Sequence, residues 1–411
     1  MTSRFVPPSG PPRLLAVSQL TNSVGDGAYL VCSVLYFSRI VGLSATQIGL
    51  GLTIGWGLGF LGGVPIGRLA DRYGAKGMSV LMALGTALSV AALMAVGNMA
   101  AFSVVACCYA SCQTGLAATR QALLAAVVDA PARTRVRAYL QSSANAGLAA
   151  GAAVGALALR YNTRPAYLAV FALDALSFAG CALLLARIPW ARPQATADRA
   201  LTVLRDRPYT LLSFLNMIML LRMPIISLAI PLWIVERTSA PAWMVSALLV
   251  LNTAAVMLFQ VRFAGRVTDL ASATRAVALS GVFCLAACAA FAASGARASP
   301  LVDGVLLVAG ATALVVGEMM QSSGSWQIGF DLAPCDKQGE YQGLYGIGIP
   351  VARMLGPLLL TTLTIDWGTS GWLLLGAAFL ASGVATGPVV RWAQAPLDLP
   401  PSLTLQRGNH G

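Results

Sequence analysis

The stretch Gly67-Arg68-Leu69-Ala70-Asp71-Arg72-Tyr73-Gly74-Ala75-Lys76 is a charged island between two long apolar runs. Arg68, Asp71, Arg72 and Lys76 do not belong in hydrocarbon, where a charge at a helix centre costs about 2.5–3.5 kcal/mol. They are expected in a short loop at a membrane surface. Gly67 and Gly74 let the backbone turn sharply and let helix ends approach closely.

The rest of the chain supports that setting. Its 411 residues are 57% hydrophobic and 10% charged, with mean hydropathy +0.74. Soluble domains carry about a quarter charged residues, so the composition is that of a multi-pass membrane protein. The net charge of +12 raises nucleic acid as a partner. That class is excluded because the basic residues lie in short segments between apolar runs. The Pro-rich start, Met1 to Pro12, has no signal-peptide pattern. Seven of the eight cysteines fall inside apolar runs, and the lone histidine is His410. No metal site or cofactor is expected. No P-loop, dinucleotide fingerprint or triad spacing points to an enzyme.

A spanning helix needs about 20 mostly apolar residues. Twelve stretches qualify: 14–38, 46–67, 77–97, 100–126, 138–160, 165–187, 209–235, 241–264, 274–295, 301–327, 341–363 and 370–392. The fold class expected is an all-α membrane protein, with twelve transmembrane helices in two pseudo-symmetric six-helix bundles. The bundles are expected at 1–188 and 209–395, joined by a cytoplasmic linker at 189–208 and followed by a cytoplasmic tail at 396–411. The linker middle, Asp198 to Arg207, reads as a short surface helix or a solvated connection. With the N-terminus inside, nineteen Lys and Arg residues fall in inner segments and five in outer ones. The positive-inside rule then places both termini in the cytoplasm. Abundant alanine and glycine, with only two lysines, fit a GC-rich bacterial genome and a bacterial plasma membrane. A monomer is expected.

A shorter echo of the opening stretch, Gly265-Arg266-Val267-Thr268-Asp269, lies 198 residues on. Both copies fall between the second and third spans of a half. In the second, Leu270 stands where the arginine is, and the later glycine and lysine are missing. Duplicated halves of this kind carry the substrate at their interface, near the bilayer midplane.

The ten-residue stretch, with its glycine, aspartate, arginine, glycine and lysine in place, resembles the signature loop of the major facilitator superfamily. The six-plus-six layout extends the resemblance over nearly the whole chain. Within that superfamily the chain is similar to bacterial drug:proton antiporters, through an acidic residue in the first span and a glycine-rich fifth span, Gly147 to Gly155. It departs from them at Ser111, where their fourth span carries arginine, and in lacking a Gly-Pro pair in the fifth. The resemblance implies alternating access, and a latch between halves at Gly67, Asp71, Arg72, Gly74 and Lys76, with Asp269 its remnant in the second half.

Ionisable residues inside spans are candidates for function. Asp26 lies near the middle of the first span between Gly25 and Gly27. Loss of water favours the protonated form of a carboxyl, as a proton carrier requires. Glu318 in the tenth span is the second proton-coupling candidate. Arg222 and Arg353 are central cations, and Arg222 sits near the depth of Asp26 in the other half, as its counter-charge or as an anion site. Asp174 reads as weaker, on an outward-facing sixth span. Arg120 and Asp129 read as contacts at the cytoplasmic end of the fourth span. Asn22, Tyr29, Gln113, Asn145, Asn216, Asn252 and Trp326 complete an apolar, aromatic cavity. The expected activity is export of a small hydrophobic or amphipathic compound, such as a drug or natural product, in exchange for protons, with proton and substrate competing. The alternatives are proton-coupled uptake of a metabolite or organic anion, and a transport-inactive sensor.

Overall fold

The structure is a computed structural model and describes residues 7–189, 202–296 and 299–395. Twelve rods cross it: α1 (Pro11–Leu35), α2 (Ala45–Tyr73), α3 (Ala75–Leu93), α4 (Met99–Val127), α5 (Ala130–Tyr161), α6 (Arg164–Ala186), α7 (Arg207–Arg237), α8 (Met244–Ala264), α9 (Leu270–Ser294), α10 (Pro300–Asp331), α11 (Gln338–Asp366) and α12 (Thr369–Gln394). Eleven are long and apolar enough to cross a membrane, and α1, which carries the polar run around Asp26, is the twelfth. The chain is an all-α, multi-pass membrane protein. Two rods are broken. In α7 the helix stops at Leu220 and resumes through a π-turn at Ile225–Ala229, where Pro224 withholds a backbone donor. In α11 it breaks after Tyr345 and restarts at Gly348.

Helix packing repeats with a period of six helices. Helices α1–α5, α2–α4, α3–α4 and α3–α6 pack in the first half; α7–α11, α8–α10, α9–α10 and α9–α12 pack in the second. The halves meet through α2 against α11 and α5 against α8, which are the same contact seen twice about a pseudo-twofold. Apart from the expected loops, one boundary shifts with consequences. Helix α2 does not end at residue 67 but runs to Tyr73, so Arg68, Asp71 and Arg72 lie on its last turns. The connection to α3 shrinks to Gly74, at φ 101°, a conformation that glycine adopts freely. Residues 198–201 of the expected linker helix, and the tail at 396–411, lie outside the described residues; Val203–Arg205 form a 3-10 turn.

The glycine-rich fifth span has a packing role. Gly147, Gly151 and Gly155 recur every four residues on the face of α5 that meets α1. A Cβ at Gly151 would lie 2.0 Å from the carbonyl oxygen of Val24. Small residues at such spacing let membrane helices approach backbone to backbone, and here they fix the segment that carries Asp26. Gly151→Leu is expected to lower the thermal stability of the detergent-purified protein by more than the about 1–3 kcal/mol of ordinary overpacking, because the obstacle is main chain. Gly49→Ala, where nothing lies within 4 Å, serves as a control and should melt with the wild type.

Candidate functional site

Two adjoining cavities of about 230 Å³ each lie between the halves and share Gln113, Gln121, Arg137 and Arg353 in their walls. One is lined by Asn22, Asp26, Tyr109 and Arg120; the other by Trp56, Asn216, Gln321, Trp326 and Tyr345. Asp26, half-buried, faces the first. Asn22, four residues earlier on the same helical face, donates its amide N–H to Asp26 Oδ2 at 3.1 Å. Gln113 of α4 donates to Oδ1 at 3.2 Å and to the Tyr109 hydroxyl at 3.0 Å. The carboxyl is thus held by two neutral donors, with no cation within 4 Å among the described residues. Arg353, on α11 of the other half, lines the same cavity.

Arg120 lies about two turns before the end of α4, but it is not a loop contact: it is buried and turns toward α1. Its guanidinium donates to Gln19, to Asn22 Oδ1 at 3.1 Å and to Cys181 Sγ at 3.2 Å. Asn22 therefore joins Arg120 to Asp26, with its carbonyl on one and its amide on the other. Asp174 also departs from expectation. It is fully buried and faces inward, against α1. A Cβ at Gly25 would lie 2.4 Å from Asp174 Oδ1, so the glycine before Asp26 makes the notch that Asp174 fills. Ser177 donates to the backbone carbonyl of Asp174 at 2.8 Å, while Asp174 Oδ2 has no hydrogen-bond partner among the described residues.

Arg222 is not the counter-charge of Asp26. It pairs with Glu318 at 3.3 Å and donates to Gln321 at 2.7 Å and Ser322 at 3.1 Å. Asn252 donates to the other oxygen of Glu318 at 3.1 Å. The 198-residue offset that relates the two loops also carries Arg120 onto Glu318. Each half therefore joins its first and fourth helices through charged groups, with the signs exchanged: acid on α1 and arginine on α4, then arginine on α7 and acid on α10. The first connection runs through an amide; the second is closed as an ion pair. Arg222→Met should destabilise the protein by an amount below the about 3–5 kcal/mol for breaking a fully buried pair, since Glu318 retains 24% exposure. Glu318→Gln should cost less, because Gln321 and Ser322 still accept from Arg222. Melting curves of the two variants check that order.

Of the other expected cavity residues, Gln113, Asn216 and Trp326 line it. Asn216 accepts from Gln321 at 2.7 Å and donates to the Tyr345 carbonyl at 3.2 Å. Asn145 is in neither wall, nor is Tyr29, whose ring is buried against Phe171 and Tyr109. Arg137 lines both cavities and was not singled out from the sequence. It sits near the start of α5 among arginines that read as surface charge. Thr134 and Leu140, three residues to either side on that helix, are both buried, which the sequence alone does not mark.

The charged end of α2 meets the start of α11. Asp71 accepts backbone N–H groups from Gly339 at 2.6 Å and Glu340 at 2.8 Å, where the helix dipole favours an anion. Gly63 and Gly67 face Gly343 and Gly339; a Cβ at Gly67 would lie 2.0 Å from the Gly339 carbonyl oxygen. Glu340 in turn accepts from the Val203 N–H at 2.9 Å, which ties the end of the linker to this contact. Asp269 does something different: it caps its own helix, accepting from Ser272 N–H at 2.7 Å, and that bonding holds its carboxyl below the usual range. A further cavity of about 290 Å³ at this end is built from Asp71, Gly74, Lys76, Arg133 and Asp336. Among the described residues no group of three His, Cys, Asp or Glu side chains converges to hold a metal.

Among curated proteins no sequence matches. Solved structures do. A bacterial homologue of the iron transporter ferroportin, in its outward-facing state, superposes with TM-score 0.73 at 14% identity, covering 93% of this chain and 99% of its own. The human organic anion transporter MFSD10 gives 0.65 at 16%, covering 93% and 100%, and the Escherichia coli fucose:proton symporter FucP gives 0.65 at 13%, covering 93% and 98%. At these identities the likeness is one of fold. The sequence profile of the Major Facilitator Superfamily matches residues 15–357, and the chain belongs to that superfamily.

Proposed function

We propose that this chain moves small amphipathic organic compounds across the cytoplasmic membrane by proton-coupled alternating access, with Asp26 as the proton site. The observation that carries this reading is Asp26 itself: a carboxyl facing the cavity between the halves, held by two amides and with no cation within 4 Å among the described residues. The contact of α2 with α11 is the gate. With that end in the cytoplasm, as loop charge places it, the cavity is closed on the inner side. Asp71 holds the closure by capping the first turn of α11.

Two couplings are open to such a site. A neutral or cationic compound would compete with the proton at Asp26, giving exchange and export of drug-like molecules. An anion would bind together with the proton, giving uptake. One observation favours the second: Arg120, Arg137 and Arg353 line the cavities against the single carboxylate of Asp26. Similar folds in an organic anion transporter and a sugar:proton symporter are compatible with it by analogy. Proteoliposomes under an imposed pH gradient decide. Compounds entering with the acid side outside indicate cotransport, and compounds leaving indicate exchange. Transport indifferent to gradients of both signs would remove the proton from the account.

A further inference from the structure

We infer that the central cavity is built to take an organic anion, with its carboxylate between Arg137 and Arg353 and its flat apolar body along Trp56 and Trp326. This rests on the reading of that cavity as the transport site and names the chemistry of what it binds.

The argument begins with how the arginines are held. Arg137 belongs to α5, in the first half, and its guanidinium lies over Trp326 of the second half at 4.8 Å. Arg353 belongs to α11, in the second half, and lies over Trp56 of the first at 4.3 Å. Each cation is therefore stacked on an aromatic ring across the interface, and the two pairs are crossed. Stacking fixes the guanidinium plane through its face and leaves the N–H donors on its edge free. Neither arginine has a hydrogen-bonded acceptor or an ion pair within 4 Å among the described residues, and Arg137 Nε is buried with no partner. A buried guanidinium nitrogen without an acceptor, as at Arg137, is costly; Arg353 is exposed and lines the same cavity. Two guanidinium groups lining one cavity present the planar fork that matches a carboxylate.

The charge balance points the same way. The walls hold three guanidinium groups and one carboxyl, that of Asp26; the other buried pair, Arg222 with Glu318, is closed on itself. A cationic ligand would meet net repulsion. The remaining wall suits an apolar body, with Trp56, Trp326, Leu220, Ile349 and Pro350 lining the cavity. Because the two cations come from opposite halves, an anion bridging them also draws the halves together, which is what alternating access requires of its substrate.

The test is a charge series on one skeleton. Tritiated 2-naphthoate binding to the purified full chain is measured by scintillation proximity at symmetric pH, with 2-naphthamide and 2-naphthylmethylammonium as competitors. The carboxylate is expected to bind about tenfold or more tighter than either competitor, as a charge-assisted hydrogen bond requires. Arg353→Gln and Arg137→Gln should each weaken carboxylate binding by about tenfold and remove most of that preference. Among the described residues neither side chain has a hydrogen bond that the fold would lose. Tighter or equal binding of the amine or the amide, an unchanged preference in both variants, or no saturable binding of the carboxylate would overturn the inference. The assay uses no gradient, so its failure is separate from that of proton coupling. Coupled transport with a flat charge series would remove the anion site alone, and a clear charge preference without coupled transport would remove the proton reading alone.

Discussion

Asparagine at position 26 is expected to abolish gradient-driven transport while leaving counterflow intact. The amide is nearly the same shape as the carboxyl; its oxygen keeps the contact with Asn22, and its NH2 meets Gln113 once that amide turns over to present its oxygen. What it loses is the exchangeable proton. Net accumulation against a gradient should fall by about tenfold or more, equivalent to losing at least about 1.4 kcal/mol of coupling. Exchange of labelled for unlabelled compound across the membrane, which needs no proton, should continue. Asp174→Asn is the informative comparison. Its carboxyl sits behind α1 in the notch at Gly25, away from the cavity walls, so it should change coupling less than Asp26→Asn. Equal loss in both variants would mean the two carboxyls act as one site.

A leucine at Gly67 is expected to disable the gate. The Cβ position alone comes within 2.0 Å of the Gly339 carbonyl oxygen, and main chain at a helix start has little room to yield. Helices α2 and α11 would have to part, and Asp71 would lose both backbone donors. Each such charge-assisted bond is worth about 1.5–3 kcal/mol, so the closed arrangement becomes a minor state. Nitroxide labels at the exposed positions Tyr73 and Cys335 should move to longer separations, and transport should fall by about tenfold or more. Asp71→Asn, which keeps the helix contact and weakens only the bonds, should fall between this variant and the wild type. Unchanged label distances with wild-type transport would show that the contact is dispensable.

The fold was legible because it depends on period and composition. Apolar runs of spanning length, the echo at Gly265 and the charge of the loops lead to twelve helices in two related halves without any contact being known. The signature stretch was read as a loop because charge excludes it from hydrocarbon, yet a helix can continue past the apolar zone into water, as α2 does to Tyr73. Its partner was missed for a related reason. Gly339 and Gly343 repeat the spacing of Gly63 and Gly67, but Gly339 falls in the connection before the expected span at 341–363 and Gly343 at its polar start.

The site was legible residue by residue and not as pairs. Asp26, Glu318, Arg222 and Arg353 stand out because charge inside a span is rare. Which acid meets which arginine depends on helix rotation, which no single sequence periodicity fixes here: polar and apolar residues surround these helices on all sides. Thus Arg222 was matched to Asp26 by depth, whereas helix rotation gives it to Glu318. The correspondence of Arg120 with Glu318 was available from the 198-residue offset and required only that the repeat be followed beyond its loop. Arg137 resembled its neighbours Arg133 and Arg135 in sequence; only the packing of α5 separates a cavity residue from surface charge.

The most direct test of proton coupling through Asp26 is proton movement itself. Wild-type and Asp26→Asn protein are reconstituted with a pH-sensitive dye inside the vesicles, and a transported compound is added without an imposed gradient. The account predicts a change of internal pH in the wild type that tracks compound movement, and none in Asp26→Asn. Proton movement of equal size in both, or compound transport by the wild type with no proton movement, would contradict it.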